Sequence, residues 1–251
     1  MLNDTQKKTI QTAYTHFLEQ KGLKARHGQK LMIGAVARTL GNIQTDAEGL
    51  RVDGGHVCAV EAGTGTGKTV AYALAAIPLA QALDKTLVIS TATVALQEQI
   101  VLKDLPDLRR HSGLHFSYAL AKGRGRYACV YKLDFQLAHG GGDEMGTQAL
   151  YPDEQAALLP EKSLILYQTF LDGLGAATWD GDRDTWPQSI EEEDWQRLTT
   201  DHSQCTGRRC AYVTQCPFFK ARENLVGADV IVANHDLVLA DLALGGGTIL
   251  S

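Results

Sequence analysis

The sequence predicts an α/β fold, a parallel sheet with helices on both faces, which is interrupted by an inserted and mainly helical domain. Three observations carry this prediction. Short, continuously apolar runs alternate with segments of helical periodicity, as is typical of strands buried on both faces of a parallel sheet. A glycine-rich loop separates the first of these runs from a helix. After Gly113 the alternation stops, and it resumes only with the apolar run 228–233.

The first predicted element is an amphipathic helix, because Ile10, Ala13, Tyr14 and Phe17 recur at helical spacing and Gly22 follows as a terminator. The next segments follow from their apolar runs and their glycines. They are a helix over 29–40, a loop over 41–55, a buried strand over 56–61 that contains Cys58, a turn over 62–69, a helix over 69–83, a strand over 86–90, a helix over 94–103 and a strand over 228–233. Between the last two lie a basic stretch, a glycine loop near residue 140 and an acidic region.

Length and composition exclude several classes of protein. The 251 residues correspond to roughly one or two domains of about 150 residues. Hydrophobic residues make up 44% and charged residues 21%, which excludes a disordered, collagenous or coiled-coil chain. The longest apolar stretch, 71–83, falls short of the roughly 18 residues that cross a membrane. The first residues lack the order of a signal peptide, so we expect a cytoplasmic protein.

The charges are segregated along the chain. The formal net charge is -5, yet the segment 103–132 has seven basic and two acidic residues, and 205–222 has four basic and no acidic residues. The segment 143–194 has thirteen acidic and two basic residues and is predicted to be a solvated face. An acidic chain can therefore present a basic surface if its two basic segments meet in the fold.

A phosphate-binding loop is the strongest motif. It reads Ala62-Gly63-Thr64-Gly65-Thr66-Gly67-Lys68-Thr69, with alanine in place of the usual first glycine, and it lies between a predicted strand and a predicted helix. The glycines let successive backbone N–H groups turn toward phosphate oxygens, and the helix adds its positive end. Lys68 would contact the β and γ phosphates of ATP, and Thr69 would bind Mg²⁺. The alternative is a glycine-rich loop that arose by chance.

Two flanking segments are compatible with nucleotide and nucleic-acid binding. The amide of Gln29, which follows Arg26 upstream of the loop, can pair with the edge of adenine. The hydroxyl groups of Thr91 and Thr93, at the exit of a predicted parallel strand, are placed to contact a phosphate backbone. The alternative is a solvated glutamine and a threonine-rich turn that caps the next helix.

Four of the five cysteines form a candidate metal site. Cys129 is followed after 75 residues by Cys205, and Cys210 and Cys216 come soon after. Four thiolates bind either an iron–sulfur cluster or zinc. One distant ligand and three loosely spaced ones differ from the close pairs of a zinc ribbon, which favours a cluster. His202 keeps zinc open, and unligated thiols are the third alternative.

These motifs together resemble a known family. The segment 61–69, Arg26 with Gln29, and Thr91 and Thr93 with Gln97 are similar to motif I, the Q motif and motif Ia of superfamily 2 helicases. With the four cysteines and the segment Lys122-Gly123-Arg124-Gly125-Arg126-Tyr127-Ala128-Cys129, the chain resembles the DinG branch of the XPD-like iron–sulfur helicases.

The resemblance implies ATP-driven 5′ to 3′ unwinding of DNA in repair or replication. It implies a RecA-like P-loop motor domain over 1–118 and 223–251, with a 4Fe-4S domain inserted over 119–222. The implied cofactors are ATP, Mg²⁺ and the 4Fe-4S cluster. The implied partners are single-stranded and forked or structured DNA, and single-strand-binding or repair proteins. A monomer that does not bind membranes is expected.

The predicted DNA contacts are threonines and a glutamine of the motor domain and basic and aromatic residues near the cysteines. They are Thr91, Thr93, Gln97, Lys122, Arg124, Arg126, Tyr127, Arg208 and Arg209. The alternative is that the arginines only neutralise a negatively charged cluster.

One motif that a helicase of this family needs is missing. No Asp-Glu-Ala-His segment occurs, and 230–236 resembles instead the Ala-Asn-His segment that precedes it in the family. We therefore expect a chain that ends before this motif and that hydrolyses ATP poorly by itself. Two alternatives stay open. One is a metal-bound nucleic-acid-binding module with a nucleotide switch and no motor activity; the other is a small P-loop kinase.

Overall fold

The computed structural model describes residues 2–140, 159–247 and 249–250. The chain forms two compact units. The first consists of Met1–Ala121 with Asn224–Ser251, and the second consists of Lys122–Glu223. The second unit is thus inserted into the sequence of the first. The predicted glycine loop near residue 140 and the start of the acidic region extend into 141–158, outside the described residues.

The described α-helices and strands follow one another along the chain. In the first unit they begin with α1 (Asp4–Gln20), α2 (His27–Gly41), α3 (Lys68–Ala82), β1 (Leu87–Thr91), α4 (Val94–Gln99), α5 (Leu105–His111) and β2 (Tyr118–Ala121). The second unit contains α6 (Val130–His139), α7 (Glu161–Gly175), α8 (Glu192–Leu198) and α9 (Pro217–Glu223). The first unit then resumes with β3 (Val230–Asn234) and α10 (His235–Ala243).

A parallel sheet in the order β1-β3-β2 is the centre of the first unit, which confirms the α/β class. Leu87 and Tyr118 both pair with Val230. The four apolar residues of β3 from Val230 to Ala233 are at most 1% exposed, as expected for a continuously apolar central strand. Helix α3 is rich in alanine and packs closely on α2 and α1.

The predicted helices α1, α2 and α3 and the strands β1 and β3 are confirmed to within a few residues. The helix predicted over 94–103 is longer. It continues from α4 through a π-helical turn, Ile100–Asp104, into α5, and Pro106 is accommodated because it lies in the first turn of α5.

The predicted strand over 56–61 is wrong. Its residues pair with none of the three described strands; Val57 is 87% exposed, and Cys58, predicted to be buried, is also exposed. A short apolar run forms a strand only where a neighbour pairs with its N–H and C=O groups. Within the described residues, 56–61 has no such neighbour, since β1 and β2 each pair with β3 and with no further strand.

Strand β2 was not predicted. It has only four residues, Tyr118-Ala119-Leu120-Ala121, so its apolar run is too short to indicate a strand by itself. Polar contacts fix its start beside β3, because the N–H and the hydroxyl group of Ser117 both donate to the carboxylate of Asp229, at 2.7 and 2.8 Å.

The second unit has its own hydrophobic core. Tyr167 and Phe170 of α7 and Leu198 of α8 are fully buried, and Trp179 and Trp186 lie against Phe170 with ring centroids 4.8 and 4.7 Å away. Its described residues form helices, 3-10 turns and an isolated bridge between Tyr127 and Asp182. Over both units, none of the helices within the described ranges has the length and apolar character needed to cross a membrane.

Candidate nucleotide-binding loop and cysteine pocket

The predicted phosphate loop leads directly into α3. Gly65 and Gly67 have φ values of 74° and 75°, in the left-handed region that favours glycine. Gly67 is the N-cap of α3, so the loop ends where the free N–H groups of the helix begin. A side chain on Gly67 would also meet Gln29, because a Cβ there would lie 2.4 Å from Nε2 of Gln29.

The side chain of Lys68 folds back over this loop. Its Nζ donates hydrogen bonds to the carbonyl oxygens of Ala62 and Gly63, at 2.9 and 3.0 Å. The hydroxyl group of Thr66 also donates to Gly63, at 2.9 Å. The loop therefore carries a cation beside the positive end of α3, which is the arrangement that binds phosphate in P-loop proteins.

The two upstream residues that the sequence singled out contact the same loop. Nη1 of Arg26 donates to the carbonyl oxygen of Gly65 at 2.8 Å. The hydroxyl group of Tyr14 donates to Oε1 of Gln29 at 3.2 Å and accepts the backbone N–H of Arg26 at 3.4 Å. Tyr14, which sequence reasoning assigned only to an apolar helix face, thus links both residues. In the sequence, the only indication of this link is that tyrosine carries a hydroxyl group that can form hydrogen bonds.

Thr69 and Tyr72 are neighbours on the first turns of α3. Burial raises the pKa of the Tyr72 hydroxyl group, and a hydrogen bond with Thr69 lowers it in part. The Thr69 hydroxyl group therefore lies close to that of Tyr72.

The threonines at the end of β1 have local roles in the structure. Thr91 is buried and donates to the carbonyl oxygen of Thr93 at 3.1 Å, and Thr93 caps α4 by accepting the N–H of Leu96 at 3.3 Å. Gln97 is 3% exposed, and its Nε2 has no hydrogen-bond partner among the described residues. Thr93 therefore caps the next helix, which is the alternative that the sequence left open.

A polar pair at the ends of the strands was missed by sequence reasoning. Oγ of Ser90 lies 2.6 Å from Nδ1 of His235, which is the first residue of α10. Because β1 and β3 are parallel, their carboxyl ends bring these side chains together. The only signal in the sequence was that each polar residue follows an apolar run.

The four predicted cysteine ligands border one pocket of the second unit. Cys129, Cys205, Cys210 and Cys216 line it together with apolar and aromatic side chains and Arg124. Within the described ranges, however, no three His, Cys, Asp or Glu side chains are grouped closely enough to hold a single metal ion. The structure therefore assembles the predicted cysteines around a common space without showing a formed metal site.

Two of the four cysteines have polar neighbours that differ in kind. Cys129 is the N-cap of α6 and its side chain forms no capping hydrogen bond. Burial raises the pKa of the Cys129 thiol, and the neighbouring Cys216 and Cys205 raise it further. The nearby backbone N–H groups of Lys132 and Tyr131 lower the pKa of this thiol in part. Sγ of Cys205 accepts Nη1 of Arg124 at 3.1 Å and the N–H of Gly207 at 3.4 Å. Such donors stabilise thiolates that ligate metals.

The basic residues near this pocket differ in exposure. Lys122 is 8% exposed, and its Nζ contacts carboxylate oxygens of Asp182 and Asp184 at 2.5 and 2.8 Å. Arg126 also pairs with Asp184. Burial raises the pKa of the Asp182 carboxyl, and Lys122 opposes this rise.

Tyr127, a second predicted DNA contact, is packed against an aromatic ring in the interior of the second unit. Tyr127 is 7% exposed, lies edge-on to Phe218, and has a pKa that burial raises. Lys122 and Tyr127 thus face the inside of the second unit, whereas Arg208 and Arg209 are exposed on a 3-10 turn.

Comparison with known proteins adds the family relationship. No family model matches the chain. A protein of Photobacterium profundum named ATP-dependent DNA helicase DinG is 39% identical over 255 aligned positions, which cover 100% of this chain and 34% of that protein. The chain is homologous to part of the DinG helicases. Proteins of the same name from Salmonella choleraesuis and Escherichia coli K12 are 42% and 40% identical over 86% of the chain.

The chain spans about a third of the length of the curated DinG relatives that it matches. Within this region, the structure brings Arg26 and Gln29 to the phosphate loop and the four cysteines to one pocket. The two sites lie in different units and are built independently of each other.

Proposed function

We propose that this chain is part of an ATP-dependent DNA helicase that binds ATP and single-stranded DNA and unwinds DNA in the 5′ to 3′ direction. The phosphate loop, with Arg26 and Gln29 held against it, is the observation that carries this proposal. The DinG relatives are named ATP-dependent DNA helicases, which supports ATP as the nucleotide and DNA as the substrate. Because the sequence contains no Asp-Glu-Ala-His segment, the chain alone would bind ATP without efficient turnover.

Each residue of the loop has a distinct task in nucleotide binding. The N–H groups at the start of α3 would contact phosphate oxygens, and Lys68 would exchange its two carbonyl partners for the β and γ phosphates. Thr69 would bind the Mg²⁺ that accompanies ATP. Gln29 would recognise adenine, since Tyr14 already fixes the orientation of its amide group. Arg26 would keep the loop in place through Gly65.

We assign the second unit to a 4Fe-4S domain with Cys129, Cys205, Cys210 and Cys216 as ligands. All four border one pocket, yet no three acidic, cysteine or histidine groups in the described part of the chain are close enough for a single ion. The spacing in the sequence, one distant cysteine and three that are loosely spaced, differs from the close pairs of a zinc ribbon and supports a cluster. When bound, the cluster would cross-link α6 to the segment 205–216 and would accept or release one electron.

The exposed arginines of the second unit are the best-placed candidates for contact with single-stranded DNA. Arg208 and Arg209 carry fixed positive charges on the surface, where phosphates can reach them. Tyr131 is 56% exposed in the same unit and offers a ring for base stacking. In the first unit, Thr91, Thr93 and Gln97 lie at the carboxyl end of β1. We expect a monomer that acts on single-stranded and forked DNA with single-strand-binding or repair proteins as partners.

Nucleotide affinity tests the proposal directly. A fluorescent ATP analogue is titrated into the 251-residue chain with Mg²⁺, and Lys68→Ala is compared with Lys85→Ala, an exposed lysine of the same unit. We expect Lys68→Ala to lose about tenfold or more in affinity, equivalent to about 1.4 kcal/mol, because it removes a charge that binds phosphate. Lys85→Ala should bind like the native chain. Equal affinity of the two variants would contradict the proposal.

A further inference from the structure

Arg124 contacts both a predicted ligand sulfur and an aromatic ring. Its Nη1 lies 3.1 Å from Sγ of Cys205, and its Cζ lies 3.9 Å from the centroid of Phe218. Phe219 is a second ring within 5.7 Å. The stacked ring restricts the plane of the guanidinium group, so one N–H remains directed at the sulfur.

This contact places a permanent positive charge beside the cysteine pocket. The guanidinium group supplies both a positive charge and an N–H donor to the sulfur. Cys205 accepts a second, backbone donor from Gly207 at 3.4 Å, which no side-chain substitution removes. Arg124 is therefore the hydrogen-bond donor to this sulfur that a side-chain substitution can remove.

We propose that Arg124 is a positioning residue that raises the reduction potential of the cluster held by the four cysteines. The proposal rests on the 4Fe-4S assignment made above. Reduction adds one electron from an external donor such as dithionite, forms or breaks no bond, and makes the cluster and its thiolates more negative by one charge. The cation and the N–H···S hydrogen bond of Arg124 stabilise that added charge.

The same geometry separates Arg124 from its exposed neighbours. Arg208 carries the same charge but is exposed on its 3-10 turn, where water and salt screen it. Arg124 is half-buried and in direct contact with sulfur, so its effect on the cluster should be much larger. A role in packing alone would change the amount of cluster bound and leave the potential of the bound cluster unchanged.

The midpoint potential of the cluster tests the proposal. The 251-residue chain is purified without oxygen, and native, Arg124→Gln, Arg124→Lys and Arg208→Gln proteins are titrated with dithionite while visible absorbance is recorded. We expect a clear shift to more negative potential for Arg124→Gln, a smaller shift in the same direction for Arg124→Lys, which keeps the charge without the stacked planar group, and the smallest shift for Arg208→Gln.

The outcomes separate this proposal from the cluster assignment. A native chain that contains zinc and no iron overturns the assignment itself. An iron–sulfur chain whose Arg124→Gln potential shifts no more than that of Arg208→Gln overturns the role of Arg124 alone. If Arg124→Gln binds too little iron for titration, Arg124→Lys decides, and a shift in that variant no larger than that of Arg208→Gln overturns the role.

Discussion

At the scale of single residues, burial decides whether a charged side chain can contact DNA. The basic segment around Lys122 predicts a DNA-binding surface, but Lys122 is buried against Asp182 and Asp184. Composition locates charge along the chain and does not show which side of the fold it faces. Two acidic residues some sixty positions away neutralise this lysine, and nothing near Lys122 in the sequence indicates them.

Replacing Lys122 tests this internal role. Lys122→Met leaves the buried carboxylate of Asp182 without its cation, while Arg126 still pairs with Asp184, so we expect the second unit to lose about 3 kcal/mol of stability. All three tryptophans of the chain, Trp179, Trp186 and Trp195, lie in this unit, so urea unfolding followed by tryptophan fluorescence reports on it. Lys162→Met, an exposed site on α7, is the matched control. A loss no greater than that of the control would refute the role.

The effect of Lys122→Met should also depend on pH. Burial already raises the pKa of Asp182 in the folded state, and removal of Lys122 raises it further. The folded state then binds more protons than the unfolded state between the unfolded pKa of about 3.9 and the folded pKa, so stability falls as pH rises through that window. The stability difference from the native chain should therefore be larger at pH 7 than near the unfolded pKa of about 3.9. A difference that is independent of pH would count against this explanation.

Substitution of single cysteines tests which of them bind the proposed cluster. We expect Cys→Ser at 129, 205, 210 or 216 to abolish the broad visible absorbance of chain purified without oxygen, because each would remove one ligand. Cys58→Ser should leave the spectrum unchanged, since Cys58 is exposed and belongs to the first unit. Visible spectra of the five variants provide the check, and a spectrum that survives loss of Cys129 would count against the assigned ligand set.

At the scale of elements, the phosphate loop contains one glycine that its backbone conformation requires and one that alanine could replace. Gly67 has φ of 75°, and a Cβ there would displace Gln29, whereas a Cβ on Gly63 would meet no atom within 4 Å. The motif in the sequence does not distinguish these two glycines. Their backbone conformations do.

Substitution of these glycines gives a matched pair. Gly67→Ala should destabilise the first unit by roughly 1–2 kcal/mol, because alanine is strained in the left-handed region, and should weaken ATP binding by displacing Gln29. Gly63→Ala should leave the free energy of unfolding nearly unchanged. Denaturant unfolding followed by circular dichroism measures both. Equal destabilisation by the two substitutions would show that the loop does not have this conformation.

Hydrophobic patterns in the sequence predicted helices and strands correctly where the pattern alone determines the element. The helical spacing of Ile10 to Phe17 and the continuous apolar run of β3 were sufficient. The run 56–61 failed because a strand also needs an adjacent partner, and Tyr118–Ala121 was missed because β3 provides that partner from more than a hundred residues away. The same limit applies to the site: the motif identified Lys68, but the link through Tyr14 depends on how α1 and α2 pack.

At the scale of the whole molecule, the nucleotide loop and the cysteine pocket lie in separate units with separate cores. Each should therefore tolerate loss of the other. We expect Cys205→Ser to retain affinity for the ATP analogue within about twofold, and Lys68→Ala to retain the visible spectrum. Loss of both properties in either variant would show that the units do not fold independently.

The account depends most on the metal content of the second unit. The most direct measurement is the amount of iron, acid-labile sulfide and zinc in the 251-residue chain purified without oxygen. The account predicts about four iron and four sulfide ions per chain and no stoichiometric zinc. One zinc ion per chain without iron or sulfide would contradict it.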